Sequence, residues 1–322
     1  MPPGRAAAGR LQAWASGRLA GAPAWLRGGA TVVLRVVRQS LDDHVGGLAA
    51  EVAFFGVLSL FPGLLVLAAA LGSLEGLIGN DFAGRAEELV LRFLDRILTD
   101  QAAGAVAAVR ELFARPRGGL LTVASLLALW GLSRGFAAVI RALDLAYDLE
   151  ERRSLVRQRL IALGLALSAV VVAVVVLAAV VVGPLLGGGL RLAGWLGLGR
   201  EFAAAWGWLR WPVAFVVLVA WGATLYHVGP YRRTPWRAGL PGAALAGVLC
   251  LVVSVGFGAY LRLAAAANQV LGALGGGLIL LVWLYLLAVA VLVGGELNAV
   301  LLARSAGRGP VPADSPPPER GS

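Results

Sequence analysis

The stretch LIALGLALSAVVVAVVVLAAVVV, residues 160–182, decides the fold class of this chain. It contains no charged residue, and its apolar residues do not alternate with polar ones, as they would in a strand of a membrane β-barrel. A helix of about 20 apolar residues is long enough to cross a hydrocarbon core of about 30 Å. We therefore predict that this stretch is a membrane-spanning helix.

The rest of the chain has the composition of a membrane protein. Of its 322 residues, 59% are hydrophobic and 14% are charged, and the mean hydropathy is +0.81. Soluble domains carry about 25% charged residues, so a soluble class is excluded. We predict an all-α, polytopic membrane bundle with six spans, at about Val45–Leu74, Gly119–Ala142, Leu160–Leu186, Trp208–Val228, Ala238–Leu261 and Leu274–Ala303.

Three parts of the chain flank or interrupt the spans. Residues 1–44 are expected to form a cytoplasmic segment that ends in an interfacial helix, TVVLRVVRQSLDDH. Residues 45–304 form the membrane domain, and the Pro-rich residues 305–322 are expected to be a disordered cytoplasmic tail. The loop 75–118 carries two amphipathic helical patterns, which predict an extracytoplasmic hairpin. That hairpin either packs on its own spans or presents a surface to envelope protein partners.

The arginines indicate the orientation in the membrane. All 28 basic residues are Arg, and an even number of spans places both termini on one side. Seventeen arginines fall in the segments of that side, against ten on the other, so the positive-inside rule places both termini in the cytoplasm. Membrane lipids are the expected partners of these arginines, and we expect no nucleic-acid partner despite a pI of 11.1.

The sequence offers no pattern of catalytic or metal-ligating residues. The single Cys250 lies in an apolar run, and His44 and His227 are isolated from each other. We therefore expect no metal, no cofactor and no enzymatic activity.

Three ionisable residues lie within the predicted spans, where charges are costly and usually functional. Glu51, Arg134 and Glu296 each lie roughly 9–11 Å from the cytoplasmic side at 1.5 Å per residue. We predict that the two acids flank the guanidinium and that Asn298 adds hydrogen bonds. The cluster would either pin three helices together or form the floor of a cavity that binds a charged head group or ion.

Proline and glycine mark candidate hinges in two spans. Pro62 falls in the middle of the first span, where it should kink the helix. Gly294 and Gly295 precede the acid of the sixth span. Close helix contact is the ordinary role of such glycines, and movement that opens a cavity is the alternative.

Four stretches resemble the YihY/BrkB family of inner-membrane proteins. They are AAEVAFFGVLSLFPGLLVLAAALG (49–72), WGLSRGFAAVIRALDLAYDLEERRSLVRQRLIAL (130–163), YRRTPWRAGLPGAALAGVLC (231–250) and LGALGGGLILLVWLYLLAVAVLVGGELNAVLL (271–302). The resemblance implies six spans in a bacterial inner membrane. It also implies the former label ribonuclease BN and links to virulence and to export of envelope lipid or lipopolysaccharide.

Three functions stay open from the sequence. The leading hypothesis is a transporter or flippase-like carrier of a lipid or other amphiphile, in which Arg134 binds an anionic head group. The second is a scaffold that recruits envelope partners through the hairpin. The third is a membrane-bound ribonuclease, for which the residues give little support.

Overall fold

Seven α-helices and one short 3-10 helix make up the described part of the chain, residues 24–73, 118–149, 153–177, 200–267 and 275–305 of a computed structural model. These residues contain no strand, which confirms the predicted all-α class. We number the α-helices in chain order. They are α1 (Ala24–Asp42), α2 (Val45–Ser73), α3 (Gly118–Ala146), α4 (Leu155–Leu177), α5 (Arg200–Val228), α6 (Leu240–Ala267) and α7 (Gly275–Ser305), and the 3-10 helix Trp236–Gly239 leads into α6.

Five stretches of this structure are long and apolar enough to cross a membrane. They are Thr122–Ala146, Leu155–Val176, Trp208–Val228, Trp236–Tyr260 and Gly277–Ser305. The pair formed by α1 and the first part of α2 also meets these criteria, with a bend of 67° between the two helices. With that pair counted once, the described residues give six spans, in agreement with the predicted polytopic bundle.

Two helix boundaries differ from the sequence prediction in ways that matter for the site. The second predicted span ended at Ala142, whereas α3 continues to Ala146. Pro212 was expected to open the fourth span, but α5 begins at Arg200 and contains this proline inside the helix. The predicted hairpin (75–117) and the tail from residue 306 lie outside the described residues.

Small side chains allow the helices to approach closely. α2 packs along α3, and α7 contacts α1, α2, α3 and α6. Lipid offers no hydrophobic drive for helices to associate, so close van der Waals contact between small residues has to supply it. The alanines at the centre of these contacts are at most 1% exposed: Ala49, Ala53, Ala138, Ala162 and Ala223.

The contact between α6 and α7 is the closest of these. A Cβ atom added to Gly294 would lie 2.5 Å from the carbonyl oxygen of Gly242 and 2.6 Å from the hydroxyl of Tyr226. A Cβ on Gly295 would lie 2.5 Å from a methyl carbon of Leu143 in α3. The two glycines therefore permit helix contact, the ordinary role considered for them, and both lie inside the continuous helix α7. Pro62 likewise lies inside the continuous helix α2.

Candidate functional site

Arg134 lies inside the membrane-spanning helix α3, which runs from Gly118 to Ala146. It is twelve residues from the end of this helix, roughly 18 Å at 1.5 Å per residue. Arg141 of the same helix lies seven residues nearer that end, roughly 10 Å from Arg134.

Two aromatic rings hold the guanidinium of Arg134. Its Cζ lies 5.8 Å from the ring centroid of Phe55 in α2 and 5.5 Å from that of Trp130, one turn earlier in α3. The two rings meet edge to face, with centroids 5.8 Å apart. Cation–π attraction of this kind contributes about 2 kcal/mol when the cation is removed from water. The rings thus stabilise the position of the charge without neutralising it.

No carboxylate of the described residues neutralises Arg134. It forms no ion pair with Glu51 or Glu296, and its buried Nε has no hydrogen-bond partner. The structure therefore does not bring the three predicted residues into one cluster. Arg134 contacts Phe55, one turn further along α2 than Glu51, so the guanidinium lies at a deeper level than Glu51.

Glu51 pairs with Arg141 instead. The Arg141 Nη2 atom lies 2.5 Å from the Glu51 Oε1 atom, and both side chains are little more than one-third exposed. Glu51 is six residues from the start of α2 and Arg141 five residues from the end of α3. Because the two helices run antiparallel, these positions share a level in the membrane. Sequence reasoning assigned Arg141 to a cytoplasmic segment and therefore missed the pair.

Glu296 lies apart from Arg134, at the junction of α7 with the turn between α1 and α2. Its side chain is 1% exposed, its Oε2 atom has no hydrogen-bond partner among the described residues, and its carboxyl group interacts with that of Asp43 in the turn. The sequence gave a signal for this neighbour, since Asp42, Asp43 and His44 interrupt the apolar pattern just before α2. Its link to Glu296, more than 250 residues away, is set by tertiary packing alone.

Asn298 has a structural role at the start of α6. Its Oδ1 accepts a hydrogen bond from the Gly242 N–H (2.7 Å), and its Nδ2 donates to the Gly239 carbonyl (3.1 Å). The first N–H groups of a helix have no partner within the helix, so this amide satisfies one of them from α7. Asn298 is 2% exposed, and both of its side-chain atoms are engaged by backbone groups.

The surface around Arg134 faces outward from the bundle. Phe54 is 56% and Trp130 46% exposed, and the rings of Phe54 and Phe55 are 5.4 Å apart. We call these three aromatic residues and Arg134 the aromatic–arginine patch. An outward position in a membrane span brings the patch into contact with lipid.

A groove of 330 Å³ between α3 and α4 flanks this part of the bundle. Its lining is apolar apart from Ser133 and Arg159, and the other lining residues are Leu155, Val156, Leu160 and Leu163. Within the described residues, no group of three or more His, Cys, Asp or Glu residues is placed to hold a metal ion.

The fold and these charges define a class: a polytopic α-helical membrane protein that carries a buried glutamate, Glu296, and an arginine, Arg134, inside a membrane-spanning helix. The profile of the family described as Virulence factor BrkB matches residues 36–318. The chain belongs to this family.

Relatives of the chain occur in bacteria. The putative ribonuclease-like protein YfkH of Bacillus subtilis (strain 168) is 33% identical over 258 residues, which cover 80% of this chain and 90% of that protein. The UPF0761 membrane protein XAC0937 of Xanthomonas axonopodis pv. citri (strain 306) is 31% identical over 277 residues, 83% of this chain and 60% of that protein. This chain thus spans about three-fifths of the Xanthomonas relative. No solved structure matches the chain.

Proposed function

We propose that this protein is a carrier that binds the anionic head group of a lipid or similar amphiphile at Arg134 and moves it across a bacterial cytoplasmic membrane. The observation that supports the proposal is an arginine inside a membrane-spanning helix that no carboxylate of the described residues neutralises. The electrostatics, the geometry of the guanidinium and the surrounding apolar surface each contribute to the argument.

A bound anion would lower the electrostatic cost of placing Arg134 in the membrane. An arginine at the centre of a membrane helix costs about 3 kcal/mol on insertion scales, and more where the side chain cannot reach the interface. Seven residues of α3, roughly 10 Å, separate Arg134 from Arg141, which pairs with Glu51 nearer the end of the helix. A bound phosphate or carboxylate would offset that cost and would lower the barrier for the anion at the same depth.

The geometry of the aromatic–arginine patch suits such an anion. The rings of Phe55 and Trp130 contact the guanidinium through π attraction, which leaves the in-plane N–H groups for hydrogen bonds. A guanidinium fork binds the oxygens of phosphate or carboxylate in pairs. The patch thus has the chemistry of a head-group site in an otherwise apolar span.

Apolar surface for the acyl chains lies beside the patch. Exposed Phe54 and Trp130 face lipid directly, and the groove between α3 and α4 lies on the other side of α3. At the cytoplasmic end of that groove, Arg159 offers a second cation at head-group level. A lipid could therefore keep its chains in the bilayer while its head group moves between cations at two depths.

The test is lipid movement in proteoliposomes that contain the full chain. Fluorescent phosphatidylglycerol and phosphatidylcholine, which differ in head-group charge, report transfer between leaflets when a membrane-impermeant reductant quenches the outer leaflet. We expect the wild type to move the anionic lipid faster, and Arg134→Gln to reduce its rate at least tenfold. Arg134→Lys should retain only part of the rate, because it keeps the charge but loses the fork.

A matched control is Arg210→Gln. Arg210 also has an aromatic contact (5.7 Å from its Cζ to the Trp211 ring centroid) and a buried Nε without a partner among the described residues, but it lies on a different helix, α5, ten residues from its start at Arg200. Its loss should leave the rate unchanged. Equal rates in wild type and Arg134→Gln would refute the proposal. Because the name of the B. subtilis relative includes ribonuclease, the same preparation is incubated with RNA, where we expect no cleavage above that of empty liposomes.

A further inference from the structure

A pair of acids joins α7 to the corner between α1 and α2. Asp43 lies in the two-residue turn at this corner, and its carboxyl group interacts with the buried carboxyl group of Glu296 in α7. The corner is also held by Gln39, whose Nε2 donates to the Ala146 carbonyl at the end of α3 (2.9 Å). The acid pair thus lies where four helices meet.

A hydrogen bond between two carboxyl groups requires a proton on one of them, because an ionised carboxylate can only accept. Glu296 is 1% exposed, so water has almost no access to it. Its Oε2 atom and the Oδ2 atom of Asp43 are buried, and no donor of the described residues reaches either one. Two ionised carboxylates in this position would repel each other without compensation.

The surroundings of the pair add further negative charge. Asp42 and His44 flank Asp43 in the turn, and Tyr147 and Asp148 approach from the end of α3. His44 favours ionisation of Asp43, whereas the neighbouring acids oppose it. Asp42 is itself paired with Arg38 (3.6 Å). Burial raises the pKa of the Asp43 carboxyl above its ordinary value, and the charges of Asp148 and Asp42 act in the same direction.

We propose that Asp43 and Glu296 form a proton-binding site, in which one shared proton holds the α1–α2 corner against α7. When the proton leaves to cytoplasmic water, both carboxylates are ionised and their repulsion separates the corner from α7. This site is distinct from the aromatic–arginine patch, so it stands whether or not that patch carries lipid.

The sign of the pH effect follows from the raised pKa of Asp43. The folded protein holds this proton more tightly than the unfolded chain does, so the contribution to stability is complete below the ordinary pKa of an aspartate. It is lost as the pH rises through the raised value of the folded protein. The corner should therefore be closed at low pH and released at high pH.

Infrared spectroscopy of the full chain in lipid nanodiscs tests proton binding. Wild type should show a protonated-carboxyl band that persists above the ordinary titration range of aspartate and glutamate and disappears at higher pH. Asp43→Asn and Glu296→Gln should each remove that band. Asp42→Asn, a neighbouring acid on the exposed side, should keep the band and shift its midpoint only slightly to lower pH, because one nearby negative charge is removed.

A distance measurement tests the movement separately. Spin labels at Val37 in α1 and Ala303 in α7, both exposed, are placed in a Cys250→Ala background. The wild-type distance should lengthen above the midpoint of the band. Glu296→Gln should keep the short distance at every pH, because its amide donates to Asp43 as the protonated acid does.

Three results would overturn the site. The first is a wild type without the high-pH band, and the second is a band that survives in both single variants. The third is a midpoint that shifts with sodium concentration at constant ionic strength, which would assign the site to a metal cation. A distance that does not change with pH would refute the proposed movement.

Discussion

Arg134 and Arg141 lie two turns apart on α3 and have opposite environments. Glu51 of α2 contacts Arg141, and Phe55 of α2 contacts Arg134, which lies deeper in the bundle. One arginine is therefore neutralised, and the other is held by aromatic rings. Glu51 and Phe55, one turn apart on α2, thus contact two different arginines of the antiparallel helix α3. In the proposed function, only the deeper arginine would therefore bind an anion from outside the chain.

The Glu51–Arg141 pair is expected to stabilise the protein modestly. Its side chains are 36% and 37% exposed, so solvent and head groups screen it, and we expect Glu51→Gln to lower the free energy of unfolding by about 1 kcal/mol. Thermal unfolding in detergent measures this change. Arg141→Gln and the double variant complete a double-mutant cycle, and strictly additive losses would show that the pair contributes nothing.

The individual charges could be predicted from the sequence, but their partners could not. Glu51, Arg134 and Glu296 stand out because each interrupts an apolar run. Their assignment to one cluster depended on depths counted from approximate span ends, whereas Glu51 pairs with Arg141, two turns from Arg134 on α3. Rotation about the helix axis also decides which residues meet, and hydropathy carries little information about it.

At the scale of the helix, the crossing of α6 and α7 depends on the absence of a side chain. We expect Gly294→Ala to destabilise the protein by about 1–3 kcal/mol, since its methyl group would meet the Gly242 carbonyl and the Tyr226 hydroxyl. Gly164→Ala in α4 is the matched control, because nothing lies within 4 Å of its added Cβ. The midpoint of thermal unfolding in detergent compares the two variants.

The same pair of variants distinguishes packing from a hinge. A hinge glycine would lower the lipid transfer rate of the alanine variant while the unfolding midpoint stayed at the wild-type value. Packing predicts a lower midpoint in Gly294→Ala, and the midpoint of Gly164→Ala should be equal to or above that of the wild type, because alanine favours helix.

At the scale of the whole molecule, the orientation in the membrane can be tested directly. With both termini in the cytoplasm, the connection between α5 and α6 faces the cytoplasm and the start of α5 faces outward. In a Cys250→Ala background, Arg233→Cys should react with an impermeant maleimide only in inside-out vesicles. Arg200→Cys should react only in right-side-out vesicles, and the reverse pattern would invert the topology.

The overall architecture was the most predictable level. Apolar runs of helical length are determined by the thickness of the bilayer, so the spans and the all-α class follow from composition and run length. The exact helix ends were harder to predict from the sequence. In α5, Pro212 lies within the helix, although proline usually marks a helix start. Contacts between distant segments, such as Asp43 with Glu296, required the three-dimensional structure.

The backbone-to-backbone contact at Gly294 has a consequence for the rest of the bundle. Helices joined so closely, and tied further by the Asn298 amide, cannot slide past each other without breaking several contacts at once. α6 and α7 therefore form a fixed frame, and conformational change during a working cycle has to involve the helices around it. A small molecule that wedges between α3 and α4 would be better placed to block that change than one directed at the frame.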